Sequence, residues 1–524
     1  MDWPTILPNG LQLESLEANI SASSIPVTIL TGDNPRDPLD LFCKPNKSRP
    51  ILPPSPPALP LIGHLHLIGS HFHISLQSLS AKYGTLFYLR LGASRSVVVS
   101  SAAMATEIFK TQDLAFAEHP KLGFSDEMPY AKYGFFSAPY GDYWRFAKKV
   151  CMSELLSPKQ IECSRGVRDE ELVRLLQIMF ECSKKKELVD LGVELMKFTN
   201  NTLCRMAMST RCSDRGDDAE EIREMVKDTF ELGSKMFLGD VLGPLRKVGF
   251  WLYAKKAMDV HLRIDGLLER ILKAHEDQNR KGEEEDLMDI LLKVQKDDKA
   301  EVKMTRIHLK ALVLDLFIGG TGTSSEVILW TLAELINHPN AFNKLREEIE
   351  SVVGGTRLVE DSDVISLPYL QAVVKEGLRL HPPLPVTTRS SRQDCKIDGF
   401  DIPKETMIFI NLYAIMRDPN TWENPNEFWP ERFLISSSKE QENVEEAFNF
   451  LPFGAGRRAC AGGKLGLTIL HRTVAAMVQC FDWKVGGDQD AKVNMEVAKG
   501  VFMHVAHPLL CLPVVHFDPF ASRT

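Results

Sequence analysis

The run Phe453-Gly-Ala-Gly-Arg-Arg-Ala-Cys-Ala-Gly462 constrains this chain more than any other stretch, because it presents one cysteine in a Gly-rich loop just ahead of a helical pattern starting near Lys464. Gly454, Gly456 and Gly462 permit a tight loop whose backbone can approach a flat ligand closely. A cysteine at a helix start, beside Arg457 and Arg458, is expected to favour its thiolate. Phe453 is placed to cover the sulfur from water, and the arginines to pair with carboxylates on a cofactor edge. A single thiolate of this kind suits an axial ligand to haem iron, where it pushes electron density towards O–O cleavage. A Gly-rich turn around an inert buried cysteine fits the same residues, and both readings stand at this point. A phosphate loop does not fit, since no Lys-Ser/Thr follows the glycines.

Charge and cysteine usage narrow the alternatives. A net charge of −8 with pI near 6.0 argues against a nucleic-acid partner, which usually leaves a basic footprint. The ten cysteines stand singly, at 43, 151, 163, 182, 204, 212, 395, 460, 480 and 511. Without a Cys-x-x-Cys pair, a tetrahedral zinc site or a thioredoxin-like redox pair is not expected. A reducing compartment fits the folded body better than a disulfide framework.

Residues 1–50 form a polar leader of unknown role, with no apolar stretch long enough for a membrane span or a secretory signal. Lys44, Lys47 and Arg49 precede the stiff run Leu52-Pro-Pro-Ser-Pro-Pro-Ala-Leu-Pro60, so residues 51–60 are expected to be a Pro-rich hinge or linker. A globular body then occupies 61–515, followed by a short tail, 516–524. Apolar residues at three- and four-residue spacing predict helices over Ile161–Ser183, Asp218–Gly233, Tyr253–Asn279 and His308–Asn337. Strands are expected along Leu86–Ser100, near Cys395–Pro403 and at Met407–Asn411. The class is mainly α with a minor β part. The acidic run Glu283–Asp286 reads as a solvated helix flank without function.

The Cys460 segment resembles the haem-ligand signature of the cytochrome P450 family, Phe-x-x-Gly-x-Arg-x-Cys-x-Gly, and matches it at every specified position. Plant members usually carry Pro after the cysteine; this chain has Ala461. Other family motifs follow in order from the hinge to about residue 515. Glu376 and Arg379 match the Glu-x-x-Arg helix, and Arg432 lies in Phe428-Trp-Pro430-Glu-Arg432-Phe433; the resemblance assigns these three to a buried structural network. It also implies that Trp144 and Lys148, one turn apart on a helix, meet the same haem propionate, and that Arg389 reaches a propionate. The implied fold is the cytochrome P450 fold, a long central helix over haem b with small β-sheets.

That central helix carries Gly319-Gly320-Thr321-Gly322-Thr323-Ser324. Interior helix glycines cost about 1 kcal/mol each relative to Ala, a cost explained by a local distortion beside the haem or by a break between two helices. The segment is similar to the family's Ala/Gly-Gly-x-Asp/Glu-Thr-Thr/Ser motif, which makes Thr323 and Gly320 the expected catalytic positions. The acidic position is Gly322. Glu326 is one turn on, an imperfect substitute, and Asp315 is about two turns earlier and too far. Proton delivery is therefore expected to be weakened or routed through water.

The resemblance implies a monooxygenase that inserts one atom of dioxygen into a small apolar or phenolic plant metabolite, a flavonoid, isoflavonoid or terpenoid. Tyr140-Gly-Asp-Tyr-Trp-Arg145 and Ala506-His-Pro508 look like plant A-type microsomal enzymes. With no nicotinamide fingerprint in the chain, electrons from NADPH are expected through NADPH–cytochrome P450 reductase, with cytochrome b5 as a further partner, the chain itself being a monomer. Lys149, Arg457 and Lys464 are the expected positive docking residues. Two rivals follow from the missing acid: a haem-thiolate isomerase or dehydratase that does not need dioxygen, and a haem-binding relative without turnover. Relatives face the cytosol on the endoplasmic reticulum membrane; the polar leader leaves peripheral or cytosolic placement open.

Overall fold

The computed structural model describes residues 50–120, 129–209, 228, 246–277, 285–436, 446–488 and 491–521. Helix α1 (Phe72–Tyr83) leads into a hairpin of β1 (Leu86–Leu91) and β2 (Ser94–Val99). Gly92 at φ 60° makes the turn, so the alternating stretch Leu86–Ser100 is two strands. Next come α2 (Asp142–Val150), α3 (Arg165–Lys185), the short β3 (Val189–Asp190), α4 (Leu191–Met208), α5 (Arg246–Asp277) and α6 (Leu287–Lys296). Then follow α7 (Arg306–Asn337), α8 (Pro339–Val353) and α9 (Pro368–Leu380). The strands β4 (Val386–Ser390), β5 (Cys395–Ile397), β6 (Phe400–Ile402) and β7 (Met407–Asn411) precede α10 (Gly463–Cys480), and β8 (Phe481–Val485) and β9 (Leu510–Val515) close the chain. The architecture is mainly α with a minor β part.

Helix α7 is the hub. Its Leu, Val, Ile and Trp residues from Val327 to Leu335 are almost wholly buried against α4, α9 and α10. By length and hydropathy this helix could cross a membrane, but it forms the interior of the protein. The larger sheet has the order β1-β2-β7-β4. Strand β2 runs parallel to β7, with Val98 opposite Phe409, and β4 runs antiparallel to β7, with Arg389 opposite Ile408. A second sheet has the order β3-β9-β8, and β5 pairs with β6.

Several boundaries differ from the sequence reading. The pattern over Ile161–Ser183 is interrupted at Ser164, which caps the start of α3, and α5 begins at Arg246, well before Tyr253. The expected helix Asp218–Gly233 and the leader 1–49 fall outside the described residues, apart from position 228. Asp286 is no solvated flank: it is buried, caps α6 through the N–H groups of Met288 and Asp289, and meets His275 at 2.9 Å. Helix capping outweighed the charge pattern there. The Pro-rich run lies along β1, where Pro54 O accepts from Tyr88 N (2.8 Å) and Leu59 O from Arg90 (3.1 Å). Cys204 is disulfide-bonded, which departs from the reduced thiols that the reading of a reducing compartment implied.

Candidate functional site

The loop before α10 folds back on itself through Cys460 N, which donates to Phe453 O at 3.0 Å. Gly456 has φ 72°, and a Cβ there would meet Phe109 O at 2.7 Å, so only glycine fits the approach. Phe453 packs against Gly463, covering the loop from one side. Lys148 of α2 reaches under the loop, and its Nζ donates to the carbonyls of Arg457 and Ala459, each at 3.0 Å. Arg457 turns away, engaged by Asp113 and by the Tyr140 hydroxyl (3.0 Å).

This arrangement corrects the expected electrostatics of Cys460. Burial pushes the thiol up, and what opposes it are the N–H groups of Gly462 and Gly463 and the Lys148 ammonium. The flanking arginines are committed elsewhere. Trp144 and Lys148 stay together, the ammonium 5.7 Å from the ring centroid, while Trp144 Nε1 donates to Phe135 O (3.0 Å) and its ring stacks under the Arg458 guanidinium (4.3 Å).

Beside the loop lies a cationic cluster. Arg458 is buried and donates to the carbonyls of Ala117 (2.8 Å), Ala138 (2.7 Å) and Phe135 (3.3 Å). Arg389, buried on β4, donates to Thr388 O (2.8 Å) and lies over the Phe109 ring. Burial pushes both guanidiniums down to about 10, and for Arg389 the neighbouring Arg458 adds to the effect. His119 stacks on Phe136, and its Nδ1 is buried without a hydrogen-bond partner. Burial and then the two arginines hold that imidazole well below its usual range. Among the described residues no carboxylate is within ion-pairing distance of Arg389, and Glu118 stands 3.9 Å from Arg458. Buried cations without counter-charge are costly. The cluster is short of anions, and a flat group bearing two carboxylates, as haem does, fits it. His119 belongs to no motif, and only its burial next to two arginines draws attention to it.

Glu376, Arg379 and Arg432 meet in a fully buried network. Arg379 grips Glu376 with two bonds (2.7 and 2.8 Å), and Arg432 Nε and Trp429 N reach the same carboxylate (3.1 and 2.9 Å). Arg379 also donates to the carbonyls of Met416 and Pro425, tying α9 to the segment that precedes the cysteine loop.

Helix α7 runs unbroken through its glycines. Room on it comes from missing side chains, without the distortion or break that the glycines suggested. Gly319 is the exposed residue of the helix; Asp315, Leu316, Gly322, Thr323 and Glu326 form a half-buried stripe around it, while Phe317, Thr321, Ser324 and Ser325 are buried. Thr323 Oγ1 donates to Gly319 O at 2.6 Å. Gly320 points the other way: a Cβ there would meet Leu203 Cδ1 at 2.6 Å, so this glycine lets α4 approach. The structure therefore places Gly320 in helix packing and Thr323 on the open face.

Asp315 holds a loop. Its carboxylate accepts from Phe136 N (3.0 Å) and from Phe135 N, and burial pushes it up to about 6. Of the expected docking cations, Lys149 is paired with Glu301, Arg457 with Asp113, and Lys464 is exposed.

Residues 53–512 match the sequence profile described as cytochrome P450. The chain is 45% identical over 485 residues to Cytochrome P450 705A22 of Arabidopsis thaliana, covering 91% of this chain and 94% of that protein. It is 41% identical to a beta-amyrin 24-hydroxylase of Glycine max (92% and 96% covered) and 39% identical to a 3,9-dihydroxypterocarpan 6A-monooxygenase of the same plant (91% and 95%). Among solved structures, a zebrafish cytochrome P450 determined with abiraterone superposes with a TM-score of 0.70 at 26% identity, covering 85% of this chain and 99% of that one.

Proposed function

The chain belongs to the cytochrome P450 family and is a monooxygenase of it, and on that premise we propose that Cys460 is the thiolate ligand of a bound haem. Arg389, Arg458 and His119 would hold the propionates, with Trp144 supporting Arg458 from below, and Phe453 and Lys148 would fix the cysteine loop. The observation that carries this reading is a buried cationic cluster short of counter-charge, with Glu118 3.9 Å from Arg458 and no carboxylate at Arg389 among the described residues, beside a braced Gly-rich cysteine loop. A thiolate-held haem iron supplies the reductive cleavage of dioxygen that no side chain of this protein can perform.

The protein's own contributions are positional. Lys148 fixes the loop, so the cysteine is presented by backbone that cannot swing away. The Glu376–Arg379–Arg432 network keeps the segment leading to that loop in register. The stripe of α7 around Gly319 leaves space for a substrate carbon to approach, with the Thr323 hydroxyl at its edge. Electrons would come from NADPH through the separate reductase, with cytochrome b5 as a second donor.

The substrate we assign is a small apolar or phenolic plant metabolite, of the terpenoid or isoflavonoid-derived classes. Support comes from the relatives named for beta-amyrin and a dihydroxypterocarpan, and from the apolar Leu316 on the open stripe. The division into leader 1–50, hinge 51–60, haem domain 61–515 and tail 516–524, and placement on the cytosolic face of the endoplasmic reticulum membrane, belong to the same proposal.

The test is the carbon monoxide difference spectrum of the full chain reduced with dithionite. A long-wavelength Soret band, lost in Cys460→Ser, is expected. Folded protein that takes up haem but shows only the short-wavelength band would overturn Cys460 as ligand.

A further inference from the structure

Monooxygenation consumes protons, and α7 has Gly322 where an acid would be expected to supply them. The open stripe of the same helix nevertheless ends in an acid. Glu326 follows Thr323 by three residues, so the two side chains share a face, with Cβ atoms about 5–6 Å apart. One carboxylate oxygen of Glu326 lies 3.0 Å from Nδ1 of His504, and the other is buried without a hydrogen-bond partner. An unsatisfied buried oxygen costs about 1–3 kcal/mol, so its retention calls for an explanation.

Anchoring the loop that carries His504 does not provide one. Trp330 Nε1 already donates to Met503 O (3.2 Å), Met503 N to Pro383 O (3.1 Å), and Ala498 N to His504 O (2.8 Å). His504 is half exposed and Glu326 only slightly, so the pair runs from accessible surface to a buried oxygen. Asp315, the other acid on the stripe, is occupied by the N–H groups of Phe135 and Phe136.

We propose that Glu326 and His504 are the proton-delivering pair of this enzyme, taking the part of the acid absent at position 322. The inference rests on the monooxygenase reading above. His504 takes a proton from solvent and passes one from Nδ1 to the Glu326 carboxylate. Glu326 gives a proton, through its second oxygen and an intervening water, to the Thr323 hydroxyl. Thr323 turns its own proton from the Gly319 carbonyl into the pocket, Glu326 is reprotonated from His504 Nδ1, and His504 takes the replacement from solvent at Nε2, so one proton passes from solvent to the pocket.

The experiment compares wild type with Glu326→Gln, Glu326→Asp and His504→Gln as full-length, haem-loaded chains. Glutamine keeps the shape of the side chain and removes the transferable proton. The measurements are the carbon monoxide band, the Kd for 4-phenylimidazole, and the partition of NADPH among product, peroxide and water with beta-amyrin and 3,9-dihydroxypterocarpan as probes. The solvent deuterium isotope effect on NADPH oxidation without substrate serves as a readout that needs neither probe. Glu326→Gln should keep the band and the Kd. It should lower product per NADPH roughly a hundredfold in favour of peroxide, the low end for loss of a general acid, and should change the isotope effect. Glu326→Asp should recover most of the loss, and His504→Gln should fall between. Unchanged partition and isotope effect in Glu326→Gln would overturn the assignment. So would a changed Kd in step with the partition, which would make Glu326 a packing residue. Absence of the band in wild type would instead sink the haem-thiolate reading itself.

Discussion

The two sides of the site are built on opposite terms. Around Glu376 and the cysteine loop nearly every polar group has a partner: Glu376 receives Arg379, Arg432 and the Trp429 N–H, and Lys148 closes on two carbonyls. Along the open stripe of α7 satisfaction is incomplete: one oxygen of Glu326 is buried without a partner, and glycine stands at 319 and 322. A satisfied network loses much when one member is removed, whereas an under-satisfied surface can change without unfolding the protein. On the proposed reading, the braced side carries stability and the open side carries choice of chemistry.

The sharpest way to break this contrast is Glu376→Ala. It strands Arg379 and Arg432 as buried cations, and urea unfolding should show a loss of about 3–5 kcal/mol; a loss under 1 kcal/mol would mean the braced side is not what holds the fold. Next in size is the pH response of Asp315. Its carboxyl is held up at about 6, above the ordinary value of about 3.9. Its contribution is therefore fully present below about pH 4 and is lost as pH rises through about 6, on the order of 2 kcal/mol. The stability of wild type minus that of Asp315→Asn should fall by that amount between pH 4.5 and 7.5, and a flat difference would remove Asp315 from the account. The smallest effect separates two adjacent glycines. Gly319→Ala meets open space and should gain up to about 1 kcal/mol in helix stability. Gly320→Ala must push Leu203 aside and should forfeit that gain. Thermal unfolding of the pair would show the order, and equal midpoints would contradict the assigned facing of Gly320.

Much of the fold was legible because its signals are local. The Gly-rich cysteine loop, the long apolar run to Asn337 and the short apolar run at Met407–Asn411 each announce their own geometry. What was illegible depended on partners distant in sequence. The role of Gly320 is set by Leu203, and the commitment of Arg457 by Asp113. His119 matters only because β4 and the cysteine loop bring arginines beside it. Asp286 looked like solvated charge because a run of acids hides the one that caps a helix.

The parallel pairing of β2 with β7 has a kinetic consequence. It joins residues around position 98 to residues around 409, with most of the helical body threaded between. Closing a loop that long is entropically expensive and slow compared with forming hairpins or helix pairs. Arg389 enters the cationic cluster only once β4 has docked on β7. The chain should therefore possess its helices before it possesses a complete cradle. On the proposed reading, haem would act as a late fastener, favouring chains in which β2, β7 and β4 have already met.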